Sequence, residues 1–433
     1  MKQILYTLIL ILIPLLSNAQ EVKLITKEEV IAKVNDQNNS LKMAEQDVKA
    51  AQGDFRQTNA ILLPTIGVSH TAMSTTNPLM AFGFKLNQEV LTQNDFNPAL
   101  LNDPTTVQNY ATKIEVQQPV LNFDGFYQRS AAKAKLKATE LQSERTKEYM
   151  SLEVEKAYMQ LQLAYKTVEV LQKAQETALD NQRIADNSFK QGYMQKADVL
   201  AVEVRVTEIE NQLQYAKSNI ANASNYLSVL MNDSNDKILK PIDSLTVAVA
   251  MITENSVLNN RKDIQAYEKA SLAYEKMYKA DKMSFMPRLN LFGSYELYDD
   301  EIFKGDAEGY LIGAALSWNI FEGSKRFGKT QKSKADFEKS KFEMAQYKAT
   351  SSLELNKAKR NLEDAKNNLK LSKLGVEQSK EALRIRTNRF KQGLEKTSDL
   401  LMAETQFAQK QLEYYGTVFN HNYVLKYVEF LTK

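Results

Sequence analysis

Residues 189–200 read FKQGYMQKADVL, and residues 390–401 read FKQGLEKTSDLL. A chain that repeats one turn-like stretch about two hundred residues apart has duplicated the structure around it. The match extends upstream, where Arg183, Ile184 and Asn187 stand opposite Arg384, Ile385 and Asn388. In each copy a glycine, Gly192 or Gly393, allows the positive φ that ends a helix. Further on, Asp198 or Asp399 stands where a new helix begins and can cap its free N–H groups. What precedes the first copy is equally constraining. From Gly125 to about Phe189 no helix breaker occurs, and Val154, Ala157, Leu161, Ala164, Val168 and Leu171 recur at spacings of three and four. So many alanines in one seam require the neighbouring helices to approach closely. A second helix, expected from Asp198 to about Met231, carries its own seam of Val202, Val206, Ile209, Leu213, Ala216, Ile220, Ala223, Leu227 and Leu230. The stretch is therefore the turn of a long helical hairpin, whose unbroken arm would span roughly 100 Å at about 1.5 Å per residue.

The rest of the chain divides along the same duplication. Leu24 to Ala60 reads as a helix opened by the capping-box match Thr26-Lys27-Glu28-Glu29 and stopped by Pro64. Apolar Ile66 and Val68 then alternate with Thr65, Gly67 and Ser69, a long Asn/Pro-rich loop covers about 77–105, and Thr112, Ile114 and Val116 alternate with Lys113, Glu115 and Gln117. After residues 232–253, where LTVAVAMI suggests a short extended piece, the order restarts. A helix is expected from about Glu254 to Met283, strands over Arg288–Tyr298 and Tyr310–Asn319, a helix from Gly323 to Arg389, and a last helix from Asp399. Pro64 matches Pro287, Leu41 matches Ile264, and Phe123-Asp124-Gly125 matches Phe321-Glu322-Gly323. This gives a first repeat over 20–231, a connecting segment over 232–253 and a second repeat over 254–433. The helix after the first turn plus the one after the connection total about the length of one unbroken arm, so two half-length helices stacked end to end would line up beside each long one.

Composition narrows the chemistry. With no cysteine there are no disulfides, no thiol catalysis and no lipidated N-terminal cysteine. His70 and His421 lack ligand spacing and read as structural, and a net charge of +3 leaves no footprint for nucleic acid. The Lys/Glu-rich helix faces read as solvated surfaces. With no nucleophile–base pair, phosphate loop or metal motif, an enzyme is not expected, nor is a cofactor. MKQILYTLILILIPLLSNAQ has the pattern of a signal peptide over 1–19, cleaved after Ala19. No later segment is apolar enough for a membrane helix, so any span must be built of strands.

The strands fit that requirement. Leu289, Leu291, Tyr295 and Leu297 alternate with Arg288, Asn290, Ser294 and Glu296, and Tyr310, Ile312, Ala314, Leu316 and Trp318 alternate with their neighbours. Such patterning suits an outer membrane barrel, with Tyr295, Tyr310 and Trp318 as interface aromatics; a soluble sheet packed on a helix would show the same alternation. Four strands cannot close alone, whereas three chains would supply twelve.

At this point the residues resemble the TolC-like outer membrane efflux channel family. The likeness covers roughly residues 24–430, on SLKMAEQDVKAAQGDFRQTNAILLPTIGV, the strand-to-helix junctions VLNFDG and WNIFEG, and both FKQG turns. It implies a mainly α fold with a membrane β-barrel portion. A homotrimer would form a twelve-stranded barrel, four strands per chain, continuous with a periplasmic α-helical barrel. It also implies the exit duct of a tripartite efflux or type I secretion system in the outer membrane of a Gram-negative type envelope. The partners implied are a periplasmic adaptor, an inner membrane pump and outer membrane lipids. Phe189, Gly192, Asp198, Phe390, Gly393 and Asp399 would then sit at the periplasmic tip and contact the adaptor. Three-fold symmetry would set Asp198 and Asp399 as a carboxylate ring at the entrance, favouring cations. This sequence departs from the family lock at the tip: Asp198 matches its acidic member, but Phe390 replaces a tyrosine, Glu395 an arginine and Met402 an acidic residue. The alternative function is a periplasmic coiled-coil adaptor or scaffold without a pore, although an adaptor needs only one hairpin. A general porin is disfavoured by the helical mass.

Overall fold

A computed structural model describes residues 22–234, 237–249 and 260–433. The expected signal peptide and the start of the helix expected from Glu254 lie outside the described residues. In chain order the elements are β1 (Val22–Ile25), α1 (Lys27–Gln37), α2 (Asn39–Gln57), β2 (Thr65–Thr75), α3 (Pro78–Asn87), α4 (Pro98–Asn102) and β3 (Val107–Leu121). There follow α5 (Phe123–Lys190), α6 (Lys196–Leu230), β4 (Ile238–Pro241), α7 (Lys262–Met283), β5 (Arg288–Asp299), β6 (Ala307–Ser317), α8 (Lys325–Lys391) and α9 (Thr397–Thr432). They group into two compact units that are both discontinuous in sequence. One comprises the chain up to Gln46 with Leu141–Gln265 and Gln346–Lys433; the other comprises Asp47–Glu140 with Ala266–Ala345. Each unit therefore draws on both halves of the chain.

The first unit is built of helices around a short parallel pair, β1 with β4, in which Val22 faces Ile238 and Ile25 faces Pro241. Its largest core cluster contains the α5 seam, Val154, Ala157, Leu161, Ala164, Val168 and Leu171, packed with Leu213, Ala216, Ile220 and Leu227 of α6. Tyr158, buried in that core, sets its hydroxyl within hydrogen-bond reach of the Ile25 carbonyl and Asp243, and Tyr165 donates to the Leu239 carbonyl. A second cluster joins Leu355, Ala358 and Leu362 of α8 to Val424, Leu425, Val428 and Leu431 of α9. The extended piece expected after residue 244 forms no strand in its described part. Leu245 is buried there, and Asn422 of α9 holds the segment through the Ala248 N–H at 2.9 Å and the Thr246 carbonyl at 2.7 Å.

The single helix expected over Leu24–Ala60 is instead a strand, two α-helices and a short 3-10 turn over Thr58–Ile61. Thr26 and Glu29 do form the expected capping box. The interruption comes at Asn38, whose backbone is extended and whose Oδ1 accepts from Ser40 and Leu41 N–H at 2.9 and 3.2 Å, capping α2. Its Nδ2 donates to the Leu230 carbonyl at 2.8 Å, so this buried side chain also satisfies the end of α6.

The second unit carries one antiparallel sheet in the order β2-β3-β5-β6. Gln88 fastens the end of α3 to it, donating to the carbonyls of Gln108 and Asp299 and to Asn109. The stretch expected as a long loop over 77–105 thus contains α3 and α4. The Asn-Pro pairs taken as loop signals are helix starts: Asn77 and Asn97 cap through their side chains, and Pro78 and Pro98 occupy first helical positions where no N–H is needed.

Candidate functional site

Two features of the fold bear on function: the pair of hairpin turns and the faces of the sheet. The turns are built by the same backbone bonds. At the first, Gly192 N–H donates to the Phe189 carbonyl and Tyr193 N–H to the Ser188 carbonyl, both at 2.9 Å, with Gly192 at φ +76°. At the second, Gly393 N–H donates to the Phe390 carbonyl and Leu394 N–H to the Arg389 carbonyl, again both at 2.9 Å, with Gly393 at φ +72°. A side chain at either glycine would face the left-handed backbone penalty.

The aspartates do not cap as the sequence suggests. The N-cap positions are Gln195 and Lys396, and neither makes a side-chain cap bond. Asp198 and Asp399 lie in the first helical turn, and their N–H groups bond to the Gln195 and Lys396 carbonyls at 3.1 Å. Their carboxylates favour the helix start through its partial positive charge rather than by closing a hydrogen bond.

Side chains then make the turns unlike. Phe189 is exposed and Tyr193 is 84% exposed, whereas Phe390 is 7% exposed. Among the described residues no salt bridge reaches Asp198. At the second turn Glu395 accepts from Arg386 Nη1 and Arg389 Nε, both at 2.8 Å, and Arg386 Nη1 lies 3.6 Å from Asp399. Glu395 is thus paired within its own hairpin. Met402, the other departure, is exposed on α9.

The sheet register sorts its side chains into two unlike faces. Ile66, Val116, Gly293 and Ile312 lie side by side, and in the next row on the same face lie Val68, Ile114, Tyr295 and Tyr310. This face is apolar and open: Ile66 is 69% exposed, Ile312 78% and Tyr310 80%. The row Ser69, Lys113, Glu296 and Gly309 belongs to the opposite face, where Lys113 pairs with Glu296 at 3.2 Å and with Glu115 at 3.6 Å. Trp318 lies one residue beyond β6, exposed, with Nε1 donating to the Phe285 carbonyl at 2.9 Å. Tyr310 and Trp318 bracket Ile312, Ala314 and Leu316 over a chain length of about 26 Å, which at the roughly 40° tilt of barrel strands covers about 20 Å of the roughly 25 Å apolar band of an outer membrane barrel.

One buried charged cluster has no signature in the sequence. Asp263, in the first turn of α7, accepts from Arg261 Nε and Nη2 at 3.1 and 2.6 Å and from the Tyr347 hydroxyl at 2.8 Å, and lies 3.1 Å from Arg145 Nε. Arg145 also donates to the Phe430 carbonyl at 3.1 Å and covers the Phe430 ring. Burial works against the Asp263 carboxylate, yet the hydrogen bonds from Arg261 and Tyr347 and the Arg145 charge hold its carboxyl below the usual range. Burial and the bond to Asp263 push the Tyr347 hydroxyl up to about 12. The cluster joins α5, α7, α8 and α9, and only the isolated charges, unremarkable in helical runs, were visible beforehand. Among the described residues no group of acidic or histidine side chains has the arrangement of a metal site.

Comparison with known proteins matches residues 30–233 and 254–416 to the family described as "Outer membrane efflux protein". No curated protein matches significantly. Among solved structures, a membrane protein from Pseudomonas aeruginosa is 16% identical with a TM-score of 0.82, covering 94% of this chain and 93% of its own. The outer membrane channel CmeC of Campylobacter jejuni is 17% identical with a TM-score of 0.81, covering 94% and 85%. The outer membrane protein VceC of Vibrio cholerae is 18% identical with a TM-score of 0.79, covering 94% and 96%. At these identities the likeness is one of fold.

Proposed function

The chain belongs to the outer membrane efflux protein family, and from that premise we propose that it is the passive exit duct of a tripartite efflux or type I secretion system, assembled as a homotrimer. The observation that carries this reading is the sheet. It has an exposed apolar face, a charged opposite face, and two edges, β2 and β6, with no strand beyond them among the described residues. In lipid an open edge leaves backbone groups unsatisfied, so the edges must pair with further copies of the chain. Three copies close twelve strands, with the apolar faces toward lipid and the Lys113–Glu296 face toward the lumen.

The two unlike turns fit the periplasmic mouth of such a duct. Exposed Phe189 and Tyr193 offer contacts to an adaptor that couples the duct to an inner membrane pump. Asp198, Asp399 and their symmetry mates form the entrance ring, but Asp399 enters it partly neutralised by Arg386. Asp198 is accordingly the stronger ring charge. The lock between hairpins uses this sequence's own residues, since Glu395 is already held within its hairpin.

The test combines membrane fractionation, native mass and conductance of the purified protein in planar bilayers. A trimer in the outer membrane fraction that conducts, with cation preference reduced by Asp198→Asn, is expected. A soluble periplasmic monomer without conductance would leave a coiled-coil scaffold as the better reading.

A further inference from the structure

A second polar cluster links the hairpins near their turns. Glu404 of α9 is 7% exposed, and its Oε1 accepts from Asn181 Nδ2 of α5. Among the described residues its Oε2 has no partner, and neither does Nε of Arg205 on α6, an equally buried residue whose Nη1 lies 3.4 Å from Glu208. Glu404 and Arg205 line a cavity of about 50 Å³, closed by Lys173, Thr177, Leu383 and Phe407. Toward the turn, Leu401 of α9 rests on Ala185, Val199 and Val202. A buried carboxylate with one bare oxygen is an expensive way to join helices, since a neutral amide would fill the same space without a charge to desolvate.

We propose that Glu404, Asn181 and Arg205 form a proton-operated latch between the second hairpin and the first, fastened while Glu404 is neutral and loosened when it ionises. The charged groups facing Glu404 are Lys173 on α5 and, on α6, Arg205 with its partner Glu208; α8 presents the apolar Leu383. Glu404 is the one among them whose protonation the packing alters. Burial pushes its carboxyl up to about 7, with the Arg205 charge and the Asn181 hydrogen bond drawing it back.

The packed state therefore holds its proton more tightly than a hydrated glutamate with its usual value of 4.5. Packing is strongest below the usual value and weakens as pH rises through about 7. Each pH step across that window changes the equilibrium about tenfold, so the separated state gains on the order of a hundredfold. The 50 Å³ cavity is where the first water would reach the ionised Oε2. The consequence for flow, a mouth that yields more readily at neutral pH than in acid, rests on the duct reading, whereas the latch itself does not.

The chain has no cysteine, so spin labels on Leu200→Cys and Met402→Cys, both exposed positions, report the separation of α6 and α9 alone. The full-length protein is diluted with unlabelled chains, and label distances are recorded from pH 5 to 9. A narrow distribution that lengthens or broadens as pH rises from acid toward about 7, with little further change beyond, is expected. Glu404→Gln should keep it narrow throughout, and Asn181→Ala, which removes the bond favouring the ionised form, should move the midpoint to higher pH. A distance indifferent to pH, or a Glu404→Gln protein that responds like the parent, overturns the latch. Failure of the duct reading has a different signature: no conductance at any pH while the distance response persists.

Discussion

Asn38 does three jobs with one side chain, capping α2 twice and satisfying the Leu230 carbonyl at the end of α6. Asn38→Ala leaves these buried groups unpaired and should lower stability by about 1–3 kcal/mol, seen as a lower thermal midpoint by circular dichroism. Asp263 predicts a pH signature as well. Its folded carboxyl lies below the ordinary value of 3.8, so its stabilising contribution is present above that value and is lost as pH falls below it. Asp263→Asn strands two buried arginines and should destabilise by about 3–5 kcal/mol at neutral pH. That gap should narrow in acid, as measured by denaturant unfolding at several pH values. Neither residue was legible in the sequence. An asparagine inside a helical run does not disturb periodicity, and an aspartate among alternating charges looks solvated until three helices close over it. The glycines of the turns were legible, because a positive φ is a demand that few residues meet.

At the scale of elements, the duplicated hairpins show how much a repeated motif carries and where it stops. The seam residues of α5 and α6 were readable because a helix buries one face at a fixed period, and the structure buries all of them but the half-buried Ala223. The exit from each turn was misread, since Gln195 and Lys396 occupy the caps. The Asn-Pro pairs of 77–105 were read as loop because a turn and a helix start use the same residues; only the following turn of backbone separates them. At the second turn, Glu395→Ala should release Arg386 and Arg389. The expected result is faster amide exchange over residues 392–399, with the first turn unchanged. Because these arginines are exposed, global stability should shift by less than about 1 kcal/mol. Exchange mass spectrometry resolves both turns in one experiment.

For the whole molecule, the two-faced sheet is the feature that unites fold with function. Its alternation was plain in the sequence, but alternation alone does not say which face meets lipid. The choice came from register, which sets Ile66 and Ile312 on the open face and Lys113 and Glu296 on the other. Ala314→Lys, on the open face midway between Tyr310 and Trp318, should cost about 2–4 kcal/mol per chain in the bilayer and reduce the outer membrane fraction, while Ser69→Lys, on the charged face, should leave it unchanged. Quantitative blotting of fractionated membranes distinguishes the two variants. The compact units were not legible, since repeats are read along the chain and these units form across it.

That crossing has a temporal side. The middle of the sheet pairs Tyr110 with Asp299 and Leu121 with Leu289, so β3 acquires its second neighbour only after roughly 170 further residues have emerged. Until then β2 and β3 can form a hairpin with one sticky flank, and the parallel partner of β1 is likewise absent until β4 arrives. Distant pairing is slow to form, so whatever joins β5 to β3 must hold the two ends of that long separation together. Until it does, the bare flank of β3 offers its ladder to any strand that reaches it, including the same strand of another copy.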